Sequence, residues 1–217
     1  MSDETRGKNG TGQAEAFWER HYQAHERAWS GRANAILVDI VQSLPPGRAL
    51  DLGAAEGGDA IWLAGTGWHV TAVDVSTTAL ERGAARADAA GVADRIDFQR
   101  HDLTVSLPGG TFDLISAQYL HSPVEFPRER VLRDASALVA PGGILLIVDH
   151  ASVMPWSWNA DPDTRFPTPE ATLAGLELSS DEWQAERLDA PQRQATGPDG
   201  QVATVTDNVI VVRRRPI

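Results

Sequence analysis

Cysteine is absent from the sequence, so the protein has no disulfide framework and no thiolate nucleophile. This composition fits a reducing compartment. Long apolar runs are absent too, because the longest one, 144–148, is far too short to span a bilayer. The N-terminal residues lack the apolar core of a secretory signal. From these absences we expect a soluble, cytoplasmic protein with no membrane partner.

Positive charge is scarce. The chain carries 19 Lys and Arg residues against 30 Asp and Glu residues, which gives a formal net charge of −11. A phosphate backbone would repel such a chain, so we expect no nucleic-acid partner. The basic run Arg213–Arg215 is the local exception, and we expect it to be a solvated chain end.

Length and composition favour one globular unit, since 217 residues with 42% hydrophobic content can bury a full core. Residues 1–12 are polar and glycine-rich, and we expect them to form a disordered N-terminal tail. Residues 13–217 are then expected to form a single domain.

The most informative stretch is Ala49–Asp59. Its apolar start predicts a strand, the small residues from Gly53 predict a tight turn, and the apolar pattern from Ala60 predicts a helix. Strand, turn and helix in this order are typical of the first unit of a nucleotide-binding α/β fold. Glycine at the turn lets a ligand lie against the backbone.

The charge of this loop separates two ligand classes. A dinucleotide places its pyrophosphate at the helix N-terminus, where Asp51 and Glu56 would repel it. Two carboxylates suit instead a ligand with a cationic end and a ribose, such as S-adenosyl-L-methionine. The glycine spacing alone would also pass as a degenerate dinucleotide fingerprint, so it does not decide between the two.

The motif Asp51-Leu52-Gly53-x-x-x-Gly57 resembles the first motif of the class I S-adenosylmethionine-dependent methyltransferases. A later helix, Pro141-Gly142-Gly143 and an apolar strand resemble the same family. The chain departs from the family at Ala55, where the family usually has glycine, and the extra methyl group could crowd the ligand. The loop, the size and the N-terminal tryptophans also resemble the small thiopurine and tellurite-resistance type.

This resemblance implies a Rossmann-like α/β fold, with a seven-stranded, mostly parallel sheet and helices on both faces. It also implies an antiparallel hairpin at the C-terminus. We expect the two strands of this hairpin at 183–188 and 202–212, with 191–201 as a turn-rich link.

The ends of the second and third predicted strands carry further acids. Asp74, with Val75 beside it, lies about twenty residues beyond the glycine loop, where a carboxylate accepts both ribose hydroxyls. An acid at this place serves S-adenosylmethionine and NAD equally, and Asp74 could instead cap the next helix. The resemblance implies that Asp102 and Leu103 bind adenine, which favours S-adenosylmethionine.

Three more residues are predicted to bind the cofactor. Trp29 could cover the sulfonium by cation–π attraction, and Arg32 could pair with the cofactor carboxylate. Gln118 follows the fourth predicted strand and could hold the methionine end. The alternatives without a ligand are that Trp29 packs in the core and that Arg32 is a surface charge.

Tyr119 and His121 are the catalytic candidates, because they follow the fourth strand next to the expected position of the methyl group. Either residue could orient or deprotonate an acceptor. The imidazole of His121 is the natural base near neutral pH. His121 could equally cap the next helix. We expect no metal site, because His121 and His150 have no dense ligand cluster around them.

The predicted function is methyl transfer from S-adenosyl-L-methionine to the S, O or N atom of a small molecule by in-line displacement. Two alternatives stay open. An NAD-dependent oxidoreductase would share the first unit of the fold and Asp74. A non-catalytic S-adenosylmethionine-binding protein would explain Ala55. The protein is expected to be a monomer or a homodimer.

Overall fold

The computed structural model describes residues 11–26, 30–157, 163–197 and 199–216. Most of the tail predicted at 1–12 and the predicted ligand residue Trp29 therefore lie outside the described residues. Helix α1 spans Thr11–Ala24, so it begins two residues earlier and ends four residues earlier than the pattern at 13–28 predicts.

The first half of the chain alternates helices and strands, as the sequence predicts. Asn34 caps helix α2 by accepting a hydrogen bond from the backbone N–H of Ile36. The elements are α2 (Ala35–Val41), β1 (Arg48–Leu52), α3 (Gly58–Gly65), β2 (His69–Asp74), α4 (Thr77–Ala90) and β3 (Ile96–Arg100).

The second half contributes five more strands and two helices. They are β4 (Phe112–Gln118), α5 (Arg128–Ser136), β5 (Val139–His150), α6 (Pro169–Gly175), β6 (Trp183–Asp189), β7 (Gln192–Thr196) and β8 (Val202–Arg214). Within the described residues, no helix is long and apolar enough to cross a membrane.

Seven strands form one twisted path in the order β3-β2-β1-β4-β5-β8-β6. Pairing is parallel from β3 to β5, whereas β8 runs antiparallel to both β5 and β6. Buried clusters cover both faces of the sheet, one containing Leu37 and Leu63 and the other Leu132 and Leu145. The predicted fold class is confirmed.

Strand β7 corrects one prediction. Residues 191–201 are not only a turn-rich link, because 192–196 pair with the first half of β8. The segment Gln192-Arg193-Gln194-Ala195-Thr196 buries only Ala195, so it lacks the apolar alternation that predicts a strand. Its pairing with β8 makes it a strand.

Helix α1 is attached to the sheet through the start of α4. The Glu19 carboxylate accepts hydrogen bonds from the Ser76 hydroxyl at 2.7 Å and the Thr78 hydroxyl at 2.5 Å. Burial works to raise the pKa of Glu19, but these hydrogen bonds outweigh it and lower the pKa. The contact joins the N-terminal helix to the end of β2.

The order of the strands reverses direction between β1 and β4. In an open α/β sheet, ligands bind beyond the carboxyl ends of the strands at such a point. Asp51 on β1 is the direct neighbour of Ser116 on β4. Asp51, Asp74 and Gln118 therefore lie at the carboxyl ends of β1, β2 and β4, on this edge of the sheet.

Candidate active site

The loop after β1 makes its turn with three residues in the left-handed region. Gly53 has φ 70°, Ala55 φ 51° and Gly57 φ 75°. A side chain at Gly53 would also collide with Leu120, whose Cδ1 atom would lie 2.8 Å from the added Cβ. Ala55 tolerates a conformation that normally favours glycine, so the departure from the family motif is a strained position.

Asp51 is a buried carboxylate on the β1 side of this loop, with 2% of its surface exposed. Its Oδ2 atom has no hydrogen-bond partner among the described residues. Burial raises the pKa of Asp51 well above its ordinary value, and the neighbouring carboxylates of Asp59 and Asp74 raise it further. Burial also raises the pKa of Asp59 to about 6. Burial and mutual repulsion therefore disfavour the charged forms of these neighbouring carboxyl groups.

Asp74 closes the other side of the loop. One of its oxygens accepts the Ala55 N–H and the other accepts the Ser76 N–H, both at 2.9 Å. Burial raises the pKa of Asp74 in spite of these hydrogen bonds. Asp74 therefore holds the glycine loop and also caps the turn into α4, and its oxygens keep further lone pairs for a ligand.

Glu56, the second acid of the loop, lies in a different environment. Its carboxylate is 3.2 Å from the Arg82 guanidinium on α4, and its side chain is 5% exposed. Arg82 also donates to the backbone carbonyls of Tyr22 and His25. The structure thus places Glu56 in a junction between the loop, α4 and the end of α1, where its charge is already balanced.

Gln118 lies beside Asp51 on the neighbouring strand. Its Nε2 atom donates to the Ser116 hydroxyl at 2.9 Å. Its Oε1 atom is buried and, within the described part of the chain, has no partner. Because Asp51 pairs with Ser116 and alternate residues of a strand share a face, Asp51 and Gln118 point to the same side of the sheet. Two unpaired acceptor atoms therefore lie on the same face of the sheet.

The remaining predicted cofactor residues make contacts of their own or face solvent. Asp102 is half-buried and accepts hydrogen bonds from the backbone and hydroxyl of Thr104, while Leu103 packs into the core. Val75 is half-buried, and the Arg32 side chain is exposed. The segment before α2 covers the start of α3, because Asn34 N–H donates to Asp59 at 2.6 Å.

A second polar cluster lies at the ends of β4, β5 and β8. Tyr119, with φ 51°, directly follows β4 and stacks on His150 with ring centroids 4.3 Å apart. Its hydroxyl accepts a hydrogen bond of 3.0 Å from Arg193 on β7. Arg193 is also paired with the fully buried carboxylate of Asp207. Burial and the charge of Asp207 raise the pKa of Tyr119 to about 12.

His121 stands at the outer side of this cluster, with 40% of its side chain exposed. Its Nε2 atom lies 3.4 Å from Asp149 at the end of β5. Asp149 is held by Arg128 through contacts of 2.5 and 2.6 Å. Arg128 also donates to the carbonyl of Leu120, so the turn that carries His121 is fixed from two sides.

The sequence is similar to the sequences of known proteins. A profile described as "Methyltransferase domain" matches residues 49–143. Thiocyanate methyltransferase 1 of Brassica oleracea is 30% identical over 152 residues, which cover 65% of this chain and 67% of that protein. The chain belongs to the class I S-adenosylmethionine-dependent methyltransferases.

Two further proteins are similar to this chain over different extents. Probable thiol methyltransferase 2 of Arabidopsis thaliana is 31% identical over 134 residues, which cover 59% of each chain. The chain thus spans about three fifths to two thirds of the two curated relatives' lengths. The N-methyltransferase NodS of Bradyrhizobium japonicum, solved with S-adenosyl-L-homocysteine, has a TM-score of 0.65 at 19% identity, covering 95% of this chain and 99% of that chain.

The sequence motifs mark the residues at the ends of β1 and β2 but only part of the second polar cluster. Asp51, Asp74 and Gln118 come together around the loop, whereas Glu56 turns to Arg82. Three residues of the second cluster carried no recognisable motif: Arg128, Arg193 and Asp207. The buried polar pair Asp207-Asn208, placed directly before the apolar run 209–212, was the available signal.

No group of three or more His, Cys, Asp or Glu side chains in the described ranges could hold a metal ion. His121 and His150 lie with their ring centroids 6.1 Å apart and nearly parallel. Each imidazole lies near a carboxylate, Asp149 for His121 and Asp207, at 4.0 Å, for His150. The two rings therefore belong to a polar network with its own ion pairs.

Proposed function

We propose that this methyltransferase transfers a methyl group from S-adenosyl-L-methionine to a small-molecule acceptor, with residues 13–217 as one catalytic domain. The observation that carries the proposal is the pair of unpaired buried acceptors, Asp51 Oδ2 and Gln118 Oε1. An ammonium group supplies the donors that these atoms lack, and it brings the positive charge that a buried carboxylate needs.

Charge also argues against a dinucleotide. Among the described residues, none of Asp51, Asp59 and Asp74 forms an ion pair with a Lys or Arg side chain within 4.0 Å. A pyrophosphate placed here would add negative charge to a pocket that already has too much of it. An NAD-dependent oxidoreductase is therefore the weaker candidate.

The other residues around the loop complete the cofactor site in this proposal. Asp74 would accept the ribose hydroxyls, and Asp102 with Leu103 would hold the adenine. Arg32 is exposed and lies two residues before Asn34, which contacts Asp59, so its guanidinium would pair with the carboxylate of the cofactor. Trp29 lies outside the described residues. Gly53, Ala55 and Val75 would present backbone to the ligand, while Glu56 would support the loop through Arg82.

When bound, S-adenosyl-L-methionine supplies a methyl group on a sulfonium that is already activated. The protein's part is to position the acceptor and to exclude water. His121, exposed beside the turn after β4, would take the proton from a hydroxyl or amine acceptor. A thiol acceptor needs no strong base. Tyr119 stays a phenol near neutral pH, because its pKa is raised to about 12, so its role would be to orient the acceptor.

The relatives' names favour a sulfur atom as the acceptor, since two of them are a thiol and a thiocyanate methyltransferase. Oxygen and nitrogen acceptors stay within the proposal, because a histidine base would serve them. The acceptor side of the edge carries the two ion pairs Arg128–Asp149 and Arg193–Asp207, so a small neutral acceptor would find these buried acids already paired.

The first test is calorimetric titration of the purified protein with S-adenosyl-L-homocysteine and, separately, with NADH. We expect binding of the first with a dissociation constant on the order of micromolar, and loss of that binding in Asp74→Ala. Asp97→Asn, at an exposed carboxylate on the adjacent strand β3, is the matched control and should bind normally. Binding of NADH alone would overturn the proposal. Binding of neither would leave a methyltransferase fold whose strained Ala55 loop no longer takes the cofactor.

A further inference from the structure

The turn after β4 is held in a conformation that its sequence does not favour. Tyr119 has φ 51°, a left-handed value that costs free energy for any residue with a side chain. Such a residue persists only where its surroundings fix it from several directions. The contacts that fix Tyr119 therefore decide the shape of the turn.

Two of these contacts come from the sheet itself. The Tyr119 N–H donates to the Val148 carbonyl at 2.8 Å, and the ring of Tyr119 stacks on His150. The third comes from a separate element, because the Tyr119 hydroxyl accepts from Arg193 on β7 at 3.0 Å. Tyr119 and Arg193 are 74 positions apart in the sequence.

Asp207 determines where Arg193 points. Its fully buried carboxylate lies on β8, directly opposite His150 of β5, and binds Arg193 through both oxygens. A guanidinium held at two nitrogens by one carboxylate has a fixed plane. The Arg193 donor that reaches Tyr119 is fixed with it, so the β7–β8 hairpin sets the position of the Tyr119 hydroxyl.

The residues on either side of Tyr119 are the ones that the proposed function needs. Gln118 precedes it and carries the unpaired Oε1 atom, and His121 follows two positions later. The His121 N–H donates to the Tyr119 carbonyl at 2.8 Å, so the turn is one compact unit. A change in the backbone at Tyr119 would move both side chains together.

We propose that Arg193 and Asp207 are positioning residues, which lock the Tyr119 hydroxyl and thereby hold the turn 118–121 in the conformation that presents Gln118 and His121 to the reaction. The part of this proposal in which the turn presents Gln118 and His121 to the reaction rests on the proposed function. The lock itself does not, since it is a contact between the hairpin and the turn.

The lock can be observed directly, because the chain contains only 2 tyrosines. Protein labelled with 3-fluorotyrosine should give two fluorine resonances, and the one lost in Tyr119→Phe belongs to Tyr119. In Arg193→Gln and in Asp207→Asn, the Tyr119 resonance should shift and broaden while that of Tyr22 stays. Arg187→Gln removes an arginine from another Arg–Asp pair, on β6, and should move neither resonance. An unchanged Tyr119 resonance in folded Arg193→Gln would overturn the proposal.

The consequence for the site is tested by a double-mutant cycle on binding of S-adenosyl-L-homocysteine. Arg193→Gln and Tyr119→Phe should each weaken binding about fivefold, and the double variant should be no weaker than the single variants. Arg193→Lys, which keeps the charge, should restore part of the affinity. Effects that multiply in the double variant would show that Arg193 acts independently of Tyr119.

The two proposals fail in different ways. If wild-type protein binds no S-adenosyl-L-homocysteine, the proposed function fails, whereas the fluorine resonances still report whether Arg193 holds Tyr119. If the wild type binds it and all three variants bind it equally well, the positioning role is wrong and the proposed function stands. A variant that does not fold is recognised by loss of the Tyr22 resonance, and Arg193→Lys then replaces it.

Discussion

The two halves of the sheet edge treat buried acids in opposite ways. At the ends of β1 and β2, Asp51 and Asp74 are buried and no arginine or lysine pairs with them in the described part of the chain. At the ends of β5 and β8, Asp149 and Asp207 are buried as well, but Arg128 holds the first and Arg193 holds the second. The acids of the first half thus lack a cationic partner among the described residues, whereas those of the second half have one.

This difference separates binding from positioning. Burying a carboxylate without a partner costs free energy, and burial accordingly raises the pKa of Asp51 and Asp74. A bound cation would recover that cost, so the first half is suited to take up a ligand. The paired acids of the second half fix the side chains around them instead. Removing an acid should therefore have opposite effects on stability in the two halves.

The largest expected effect is on ligand affinity in Asp51→Asn. If an ammonium group binds this carboxylate, its loss should weaken S-adenosyl-L-homocysteine binding about 100-fold, as for other buried charge pairs. Isothermal titration calorimetry of the wild type and the variant measures the ratio. Asp97→Asn on β3 is the control, and affinity that is equal in Asp51→Asn and the wild type would remove the charge argument.

The next effect is on folding stability in Asp207→Asn. This change leaves the Arg193 guanidinium without its buried partner, and the 35% exposure of that side chain limits the cost. We expect the free energy of unfolding to fall by about 2 kcal/mol, measured by urea denaturation. Asp189→Asn, at the exposed partner of Arg187, should change it by less than about 0.5 kcal/mol. An unchanged free energy of unfolding in Asp207→Asn would contradict the difference between the two halves.

His121→Ala tests whether the half with the paired acids also takes part in the reaction. Once an acceptor with a hydroxyl group is found, turnover should fall at least about tenfold, because the imidazole no longer takes its proton. A thiol acceptor should lose much less, since it reacts without a strong base. Initial rates with both acceptor types give the comparison, and equal turnover in the variant and the wild type would exclude His121 from the chemistry.

The smallest expected effect is a pH dependence of folding stability that comes from Asp59, which lies beside the unpaired acids. Burial raises the pKa of Asp59 from 3.8 to about 6, so its protonated form stabilises the fold at low pH. That contribution is complete below pH 3.8 and is lost as the pH rises through about 6. Relative to Asp59→Asn, the wild type without ligand should lose about 1 kcal/mol of stability between pH 5 and pH 8. Urea denaturation at both pH values measures this, and a constant difference would contradict it.

The half of the edge with the unpaired acids is also the half that the sequence predicts. Asp51 and Asp74 each end a local apolar pattern, and residues that end neighbouring parallel strands must meet at one edge. The glycine loop between them follows from the spacing of Gly53 and Gly57. Local periodicity and fold geometry were enough to bring these residues together.

The ion pairs of the other half could not be predicted, although Tyr119 and His121 beside them were, because these contacts depend on how distant strands align. Arg193 lies on a polar strand with no apolar alternation, and Asp207 reaches His150 only through the register of β5 and β8. Glu56 shows the same limit on the other side. Its place in the loop predicts a ligand contact, but the turn of α4 brings Arg82 to it.

The contact between Glu19 and the start of α4 also makes the attachment of the N-terminal helix dependent on pH. Because hydrogen bonds from Thr78 and Ser76 lower the pKa of Glu19, the attachment is complete above its unfolded value of 4.5 and weakens as the pH falls below it. The sheet does not share this dependence, since burial raises the pKa values of its acids Asp51 and Asp74. Lowering the pH below 4.5 should therefore weaken this attachment of helix α1, and hydrogen exchange of the α1 amides measures the effect.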